Sequence, residues 1–192
     1  MLHPHYPIRT DRLALRPITS ADADAMLEYK SDPDVVRYVP YDVLDRDGVE
    51  RRIGSAWGRS VFDVPGDAAC LGVEEAATGR LVGDVVLFWH SEKDRSGEVG
   101  YIFHPDVRGR GYAGEAVAAL LDLGFGGLGL HRIVARINEL NEASVRLVER
   151  LGFRREARTV ESIWFKGGWA TMLEYARLEQ EWVPRSQIPP VR

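Results

Sequence analysis

Residues 108–116 read RGRGYAGEA, two arginines set among glycines just ahead of an apolar stretch with helical spacing. The chemistry open to such a run is anion binding. The first N–H groups of a helix have no partner inside it and carry partial positive charge. Glycine lets an oxyanion approach them closely, and arginine adds charge-assisted hydrogen bonds. Three readings compete. From Gly109 the run is G-x-G-x-x-G, a dinucleotide fingerprint, with Glu139 near the place of a ribose-binding acid. From Arg108 it is R-x-x-G-x-A, a different phosphate-binding turn. The plainest reading is a turn with no ligand. Against the dinucleotide, HPDVR separates the strand-like EVGYIF from the glycines, and too little chain follows for the rest of a doubly wound sheet.

The elements that must position this turn follow from periodicity. RLALRPI alternates, with Leu13, Leu15 and Pro17 against Ala14 and Arg16, and reads as a strand. TSADADAMLEYKSD opens with Thr19 or Ser20 as a cap and acids in the first turn, a helix start. A second helical piece is expected within LDRDGVERRIGSAWGRSV, where Ile53 and Trp57 lie four apart. AACLGVEEAATGRLVGDVVLFWH gives two strands around Ala77-Thr78-Gly79-Arg80, and SGEVGYIFH a third. After the glycines, Val117, Leu120, Leu121 and Phe125 make one apolar helix face. HRIVARIN is again a strand. NEASVRLVERLGF is a helix capped by Asn141 and ended by Gly152, with Leu147 and Leu151 on its apolar face. ESIWFKGGWATMLEYARL folds back on itself at Gly167-Gly168. The order β-α-α-β-β-β-α-β-α-β-β predicts an α/β (α+β) fold. Its mixed sheet is mostly antiparallel, with one parallel pair where a helix joins EVGYIF to HRIVARIN, and helices lie on both faces.

The chain has 192 residues, 45% hydrophobic and 28% charged, ordinary values for a chain with a sizeable core. We read one domain over residues 1–192, its core about 8–183, with VPRSQIPPVR extending loosely past the last element. The net charge of −4 leaves no basic excess for a nucleic-acid backbone. The single cysteine, Cys70, forms no intrachain disulfide, fits a reducing compartment, and reads as a buried small hydrophobe. No run is apolar enough to span a membrane, and the start lacks a signal-peptide core, so a cytoplasmic location is expected. His3 and His5 stand as H-x-H without further ligands nearby, and read as a mobile terminus rather than a metal site. His90, His104 and His131, at strand ends, read as structural or solvent-facing. Trp57, Trp89, Trp164 and Trp169 read as core or interface, with one or two lining an acceptor cleft.

EVGYIFHPDVRGRGYAGEAV, followed by INELNEASVRLVERLGF, resembles the acetyl-CoA-binding core of the GNAT superfamily of N-acyltransferases. The family's R/Q-x-x-G-x-G/A signature falls on Arg108, Gly111 and Ala113. Its following asparagine and L-G-F ending fall on Asn141 and Leu151-Gly152-Phe153. TDRLALRPITSADADAM and WFKGGWATMLEYARL resemble the branch that acetylates ribosomal-protein N-termini at alanine or serine. The resemblance spans roughly residues 8 to 183. It implies an acetyltransferase with acetyl-CoA as co-substrate and no metal, acting on a primary amine by direct attack. The amine would belong to a protein N-terminus or a small molecule. The pyrophosphate of coenzyme A would rest on the backbone of Arg108, Gly109, Arg110, Gly111, Tyr112 and Ala113. Asn141 and the amides of Ile102 and Phe103 would meet the pantetheine arm and the thioester, where the parallel strands splay. Glu98 would help take the amine's proton. Many relatives place a tyrosine where Val148 stands, so Ser144, one turn earlier, is the candidate for the leaving sulfur. Thr171 replaces the aspartate of the branch's W-x-D pattern. Expected partners are acetyl-CoA and the amine, with neither membrane nor nucleic acid, and a second copy of the chain as a candidate. A different class stays open: an acyl-CoA-binding sensor or interaction module with little catalysis.

Overall fold

Eight strands alternate with five helices in the computed structural model, which describes residues 1–184. The strands are β1 (Ile8–Arg9), β2 (Leu13–Pro17), β3 (Ala68–Glu75), β4 (Leu81–Ser91), β5 (Ser96–Phe103), β6 (Arg132–Asn138), β7 (Arg154–Phe165) and β8 (Gly168–Leu178). The helices are α1 (Ala23–Lys30), α2 (Pro33–Val36), α3 (Arg46–Arg52), α4 (Tyr112–Asp122) and α5 (Glu142–Arg150). One sheet runs β1-β2-β3-β4-β5-β6-β8-β7, antiparallel throughout except for β5 beside β6. The expected mixed sheet is therefore present.

Alternation assigns the two faces. On one, Val85 and Leu87 of β4 and Val99 of β5 meet Ala116, Val117, Leu120 and Leu121 of α4 and Leu147 and Val148 of α5. On the other, Cys70 and Ile102 meet Met26 and Tyr29 of α1 and Val49 of α3. Each large aliphatic side chain so buried contributes roughly 1.5–3 kcal/mol. Local signals set the ends. The carboxylate of Asp22 accepts from the Thr19 amide and hydroxyl at 2.8 and 3.1 Å, so Thr19, not Ser20, begins the helical run. Asn141 Oδ1 accepts from the Ser144 amide at 3.2 Å and caps α5, and Gly152 ends that helix with a positive φ.

The structure corrects three expectations. The β7–β8 turn sits at Lys166-Gly167, both with positive φ, and Gly168 already belongs to β8. The paired positive φ is the turn geometry that twisted hairpins favour. Strand β7 starts at Arg154, seven residues before the expected Glu161, because its exposed charged half pairs with β8 all the same. The N-terminus is docked rather than loose: Leu2 bridges to Phe62, Tyr6 donates to the Ser60 carbonyl at 2.6 Å, and His3 meets Asp63 at 2.7 Å. The tail beyond Pro184 lies outside the described residues. Among those described, no helix is long and apolar enough to cross a membrane.

The site depends on one irregularity. Strands β5 and β6 pair only over Ser96↔Arg132, Gly97↔Ile133 and Glu98↔Val134, although β5 continues to Phe103 and β6 to Asn138. Beyond Glu98 the two strands diverge and open a gap in the middle of the sheet.

Candidate active site

The glycine turn sits where β5 hands over to α4. Gly109 and Gly111 both have φ of +78°, a conformation that strains any residue with a side chain. Two amides of the turn are spent locally, Arg108 N–H on the Pro105 carbonyl and Arg110 N–H on the Val107 carbonyl. Those of Gly109, Gly111, Tyr112, Ala113 and Gly114 meet no acceptor among the described residues. The unpaired amides are thus those of the glycines and the first turn of α4, while the Arg108 and Arg110 amides of the expected run are already bonded. Those two arginines supply exposed charge at its rim, and Arg110 lies 3.7 Å from Glu75. The turn is braced from beneath. Buried Glu115 accepts from Thr10 Oγ1 at 2.6 Å and from the Arg12 amide and side chain at 2.9 and 2.7 Å. Burial pushes its pKa up, but these donors and the Arg12 charge hold it below the usual carboxylate range. Tyr112 donates to Glu75 at 2.5 Å. Five unpaired amides, a helix N-terminus and two arginines suit the oxygens of a phosphate or pyrophosphate.

A cavity of about 410 Å³ fills the gap between β5 and β6 and continues onto the α1–α3 face. Glu98, Tyr101, Ile102, Asn138, Asn141 and Ser144 all line it. Backbone alternation decides which amides it can use. His104 N–H donates to the Val82 carbonyl, so the antiparallel register turns the Ile102 amide toward Asp84 of β4. The amides of Tyr101 and Phe103 point the other way, into the gap. Ile102 therefore reaches the cavity with its side chain, and Phe103, with Tyr101, offers the free N–H groups.

Glu98 is not an isolated carboxylate. Its Oε2 accepts from Arg136 Nη1 at 2.5 Å and lies 3.0 Å from His90 Nε2. Arg136 also reaches Glu174 at 3.2 Å. Ser144 stands in the first turn of α5 at the cavity wall, and its carbonyl faces the Tyr101 hydroxyl at 3.4 Å. Burial pushes the Tyr101 phenol up to about 12, so it stays protonated as a donor. Val148, where a tyrosine was looked for, is fully buried in the core.

The far wall holds a buried ionic cluster. Lys30, only 1% exposed, places Nζ 2.6 Å from Asp84 and 2.9 Å from the Tyr41 hydroxyl, and 4.3 Å over the centre of the Trp57 ring. Burial alone would lower the lysine's pKa. The Asp84 charge and the Tyr41 oxygen reverse that and hold it raised. Tyr29 donates to the same carboxylate at 2.8 Å. Arg52 stacks its guanidinium over Tyr41 and Trp57, at 4.8 and 5.4 Å from the ring centres.

The structure gathers Glu98, Ile102, Asn141 and Ser144 around one cavity and sets the glycine turn at the start of α4, on the opposite face from α1–α3. Trp57 lines the cavity, whereas Trp164 and Trp169 are 63% and 61% exposed and meet edge to face. His90, read as a bystander, holds Glu98. The register of the β4–β5 hairpin carried that signal, since Phe88 pairs with Glu98 and His90 follows two residues on. Lys30, Tyr41, Arg52 and Asp84 had no such signal. Cys70 is buried, and burial raises its thiol well above the usual range. Thr171 Oγ1 accepts from the Glu161 amide at 3.2 Å and so helps shape the β7–β8 irregularity.

Residues 12–154 match the acetyltransferase (GNAT) domain family. The chain is 31% identical over 175 residues to the uncharacterized N-acetyltransferase YnaD of Bacillus subtilis, covering 91% of this chain and 98% of that one. It is similar to the crystal structure of a GNAT-family acetyltransferase from Bacillus anthracis, with a TM-score of 0.82 and 31% identity over 91% of this chain and 99% of that one. The spermidine N-acetyltransferase of Vibrio cholerae, solved with CoA and spermine, shares the fold at a TM-score of 0.74 and 23% identity, covering 90% and 98% of the two chains. With this family model matched over most of its length and a relative of 31% identity along nearly all of it, the chain belongs to the GNAT acetyltransferase family.

Proposed function

We propose that this acetyltransferase moves an acetyl group from acetyl-CoA to a primary amine by direct attack inside the β5–β6 gap. The observation that carries the reading is the cavity itself. It opens the sheet beside the free β5 amides, with Glu98 on one side and the start of α5 on the other. The pyrophosphate of CoA rests on the amides of Gly109, Gly111, Tyr112, Ala113 and Gly114, with Arg108 and Arg110 beside it. The pantetheine arm takes the place of the missing ladder between β5 and β6, near Asn141. There it meets backbone N–H groups that would otherwise stay unpaired.

The amine arrives protonated near neutral pH. Glu98 takes that proton directly or through a water, while Arg136 and His90 fix the carboxylate's orientation. The amine nitrogen then attacks the thioester carbon. Negative charge gathers on the carbonyl oxygen, where the Phe103 and Tyr101 amides stabilise it. Collapse breaks the C–S bond, the nitrogen gives up its second proton to water, and CoA thiolate is released at the start of α5. The helix end and the Ser144 hydroxyl favour that charge until solvent supplies a proton.

Turnover of acetyl-CoA over a panel of amines, read by thiol release, tests the proposal. Amine-dependent release that disappears in the Glu98→Gln, Ser144→Ala double variant supports it. Tight acetyl-CoA binding with no release for any amine would instead make the chain an acyl-CoA-binding module.

A further inference from the structure

The acceptor side of the cavity carries an imbalance of charge. Four ionisable groups of fixed sign line it: Arg52, Asp84, Glu98 and Arg136. Both carboxylates are already matched. Asp84 has Lys30 at 2.6 Å and the Tyr29 hydroxyl at 2.8 Å. Glu98 has Arg136 at 2.5 Å and His90 at 3.0 Å. Arg136 is shared with Glu174. Arg52 differs from the rest: among the described residues, no carboxylate comes within ion-pair distance of it, and its partners are the faces of Tyr41 and Trp57. Stacking on two rings holds the guanidinium plane and leaves its N–H edge free for a ligand. The same two aromatics also cover Lys30, so they are fixed from both sides.

We propose that the acceptor is an amino-carboxylate: a free amino acid or similar small molecule whose carboxylate is read by Arg52 while its amine faces Glu98. The inference rests on the acetyl-transfer reading above and narrows it. A polyamine needs a carboxylate without a resident cation, and this wall offers none while presenting an extra positive charge. A protein N-terminus has its α-carboxylate tied up in a peptide bond and leaves Arg52 unanswered. Val39, Trp57, Phe88 and Met172 line the same space and favour an apolar side chain on the acceptor.

The test pairs each of leucine, methionine and phenylalanine with its carboxamide, and adds spermidine and a short peptide. Turnover is read by thiol release, and binding to the CoA-loaded enzyme by calorimetry. The expected result is a preference for acid over amide of about tenfold to a hundredfold in kcat/KM, the range of a hydrogen-bonded charge. Arg52→Met, which keeps the stem over the rings, should erase the preference by weakening the acids alone, and Arg52→Lys should restore part of it. Thermal unfolding of both variants shows whether the wall is intact. Amides, peptide or spermidine turned over as well as the acids would overturn the inference and leave acetyl transfer standing. Loss of acid and amide together in a folded Arg52→Met protein would overturn it as well. Acids that bind through Arg52 yet release no thiol would keep Arg52 as the carboxylate reader, bring down the transfer reading and, with it, the role of those acids as acceptors. Acids that neither bind nor react would end it.

Discussion

The two ends of the proposed site are made of different material. The end proposed for the cofactor is backbone: amides left unpaired by two left-handed glycines and the first turn of α4, all within a few consecutive residues. The end proposed for the acceptor is side chains: Lys30 from α1, Tyr41 from a loop, Arg52 from the end of α3, Trp57 just beyond it, and Asp84 from β4. A backbone site tolerates change in most of its side chains as long as φ is kept. A side-chain site depends on every member of the cluster, because each buried charge has only its neighbours to replace water. On the proposed function, the first kind holds the common ligand, and the second kind can vary and decides what is acetylated.

That contrast predicts opposite responses to substitution, the largest at the acceptor end. Lys30→Met strands the Asp84 carboxylate in a nearly water-free position, and removing one partner of a buried pair costs about 3–5 kcal/mol. Denaturant unfolding should show that loss, and Asp84→Asn in the same chain should recover part of it, because the uncompensated charge disappears. A cost near that of a surface pair, under about 1 kcal/mol, would mean the wall does not rest on this cluster.

At the cofactor end, Gly111→Val should leave the fold largely in place and strike the ligand. A β-branched residue at φ of +78° tilts the turn, and the amides around it no longer converge. Acetyl-CoA affinity by calorimetry should fall about a hundredfold, roughly 2.8 kcal/mol. Arg108→Ala, an exposed charge at the rim, should cost far less and lose its effect at high salt. Equal effects from the two variants would put the affinity in the side chains and break the contrast.

The same difference explains what could be read in the sequence. The glycine turn, the Asn141 cap and the Gly152 stop are local: residue type and spacing within one turn fix their conformation, and the structure places each where the sequence did. Strand order followed from hairpin turns and one helical crossover. The parallel pair at β5 and β6 was legible for the same reason, but the splaying of the two strands was expected only by family resemblance, and nothing in the sequence marked its start after Glu98. Lys30 is one charged residue late in a helical pattern, and Asp84 one charged residue within a strand. Only the folded chain brings them together, so neither residue type nor spacing could single them out. Ile102 shows a subtler limit. Its position beside the gap was right, yet which strand its amide faces depends on hairpin register, and that parity turned it toward β4.

Glu98 lines the cavity near the start of β5, and its substitution sharpens the division between binding and chemistry. Glu98→Gln keeps the shape and removes the charge that Arg136 and His90 hold in place. Acetyl-CoA affinity should be unchanged, and kcat at neutral pH should fall by about ten- to a hundredfold, within the range of general-base catalysis. The deficit should shrink as the pH rises, because more of the amine then arrives already unprotonated. A deficit that stays constant with pH would make Glu98 a positioning residue for Arg136 rather than a proton acceptor.

Ser144 gives the smallest expected effect and the finest distinction, because two functions meet in one residue of the first turn of α5. Its backbone amide serves the Asn141 cap, and its carbonyl faces Tyr101; neither uses the hydroxyl. Ser144→Ala should therefore leave thermal stability nearly untouched, whereas Asn141→Ala, which removes the cap itself, should cost about 1 kcal/mol. The hydroxyl's remaining use is toward the leaving sulfur. CoA thiolate is a good leaving group that needs only a hydrogen bond, so Ser144→Ala should lower kcat by about tenfold, roughly 1.4 kcal/mol of barrier. Tyr101→Phe gives the control. Its hydroxyl lies 3.4 Å from the Ser144 carbonyl at the same helix end, and the residue lines the same cavity. A variant series in which Ser144→Ala is silent and Tyr101→Phe is not would move the leaving-group contact from α5 to β5. The thiolate would then be served from the strand that also holds the carbonyl oxygen, and the opposing wall would be left with binding alone.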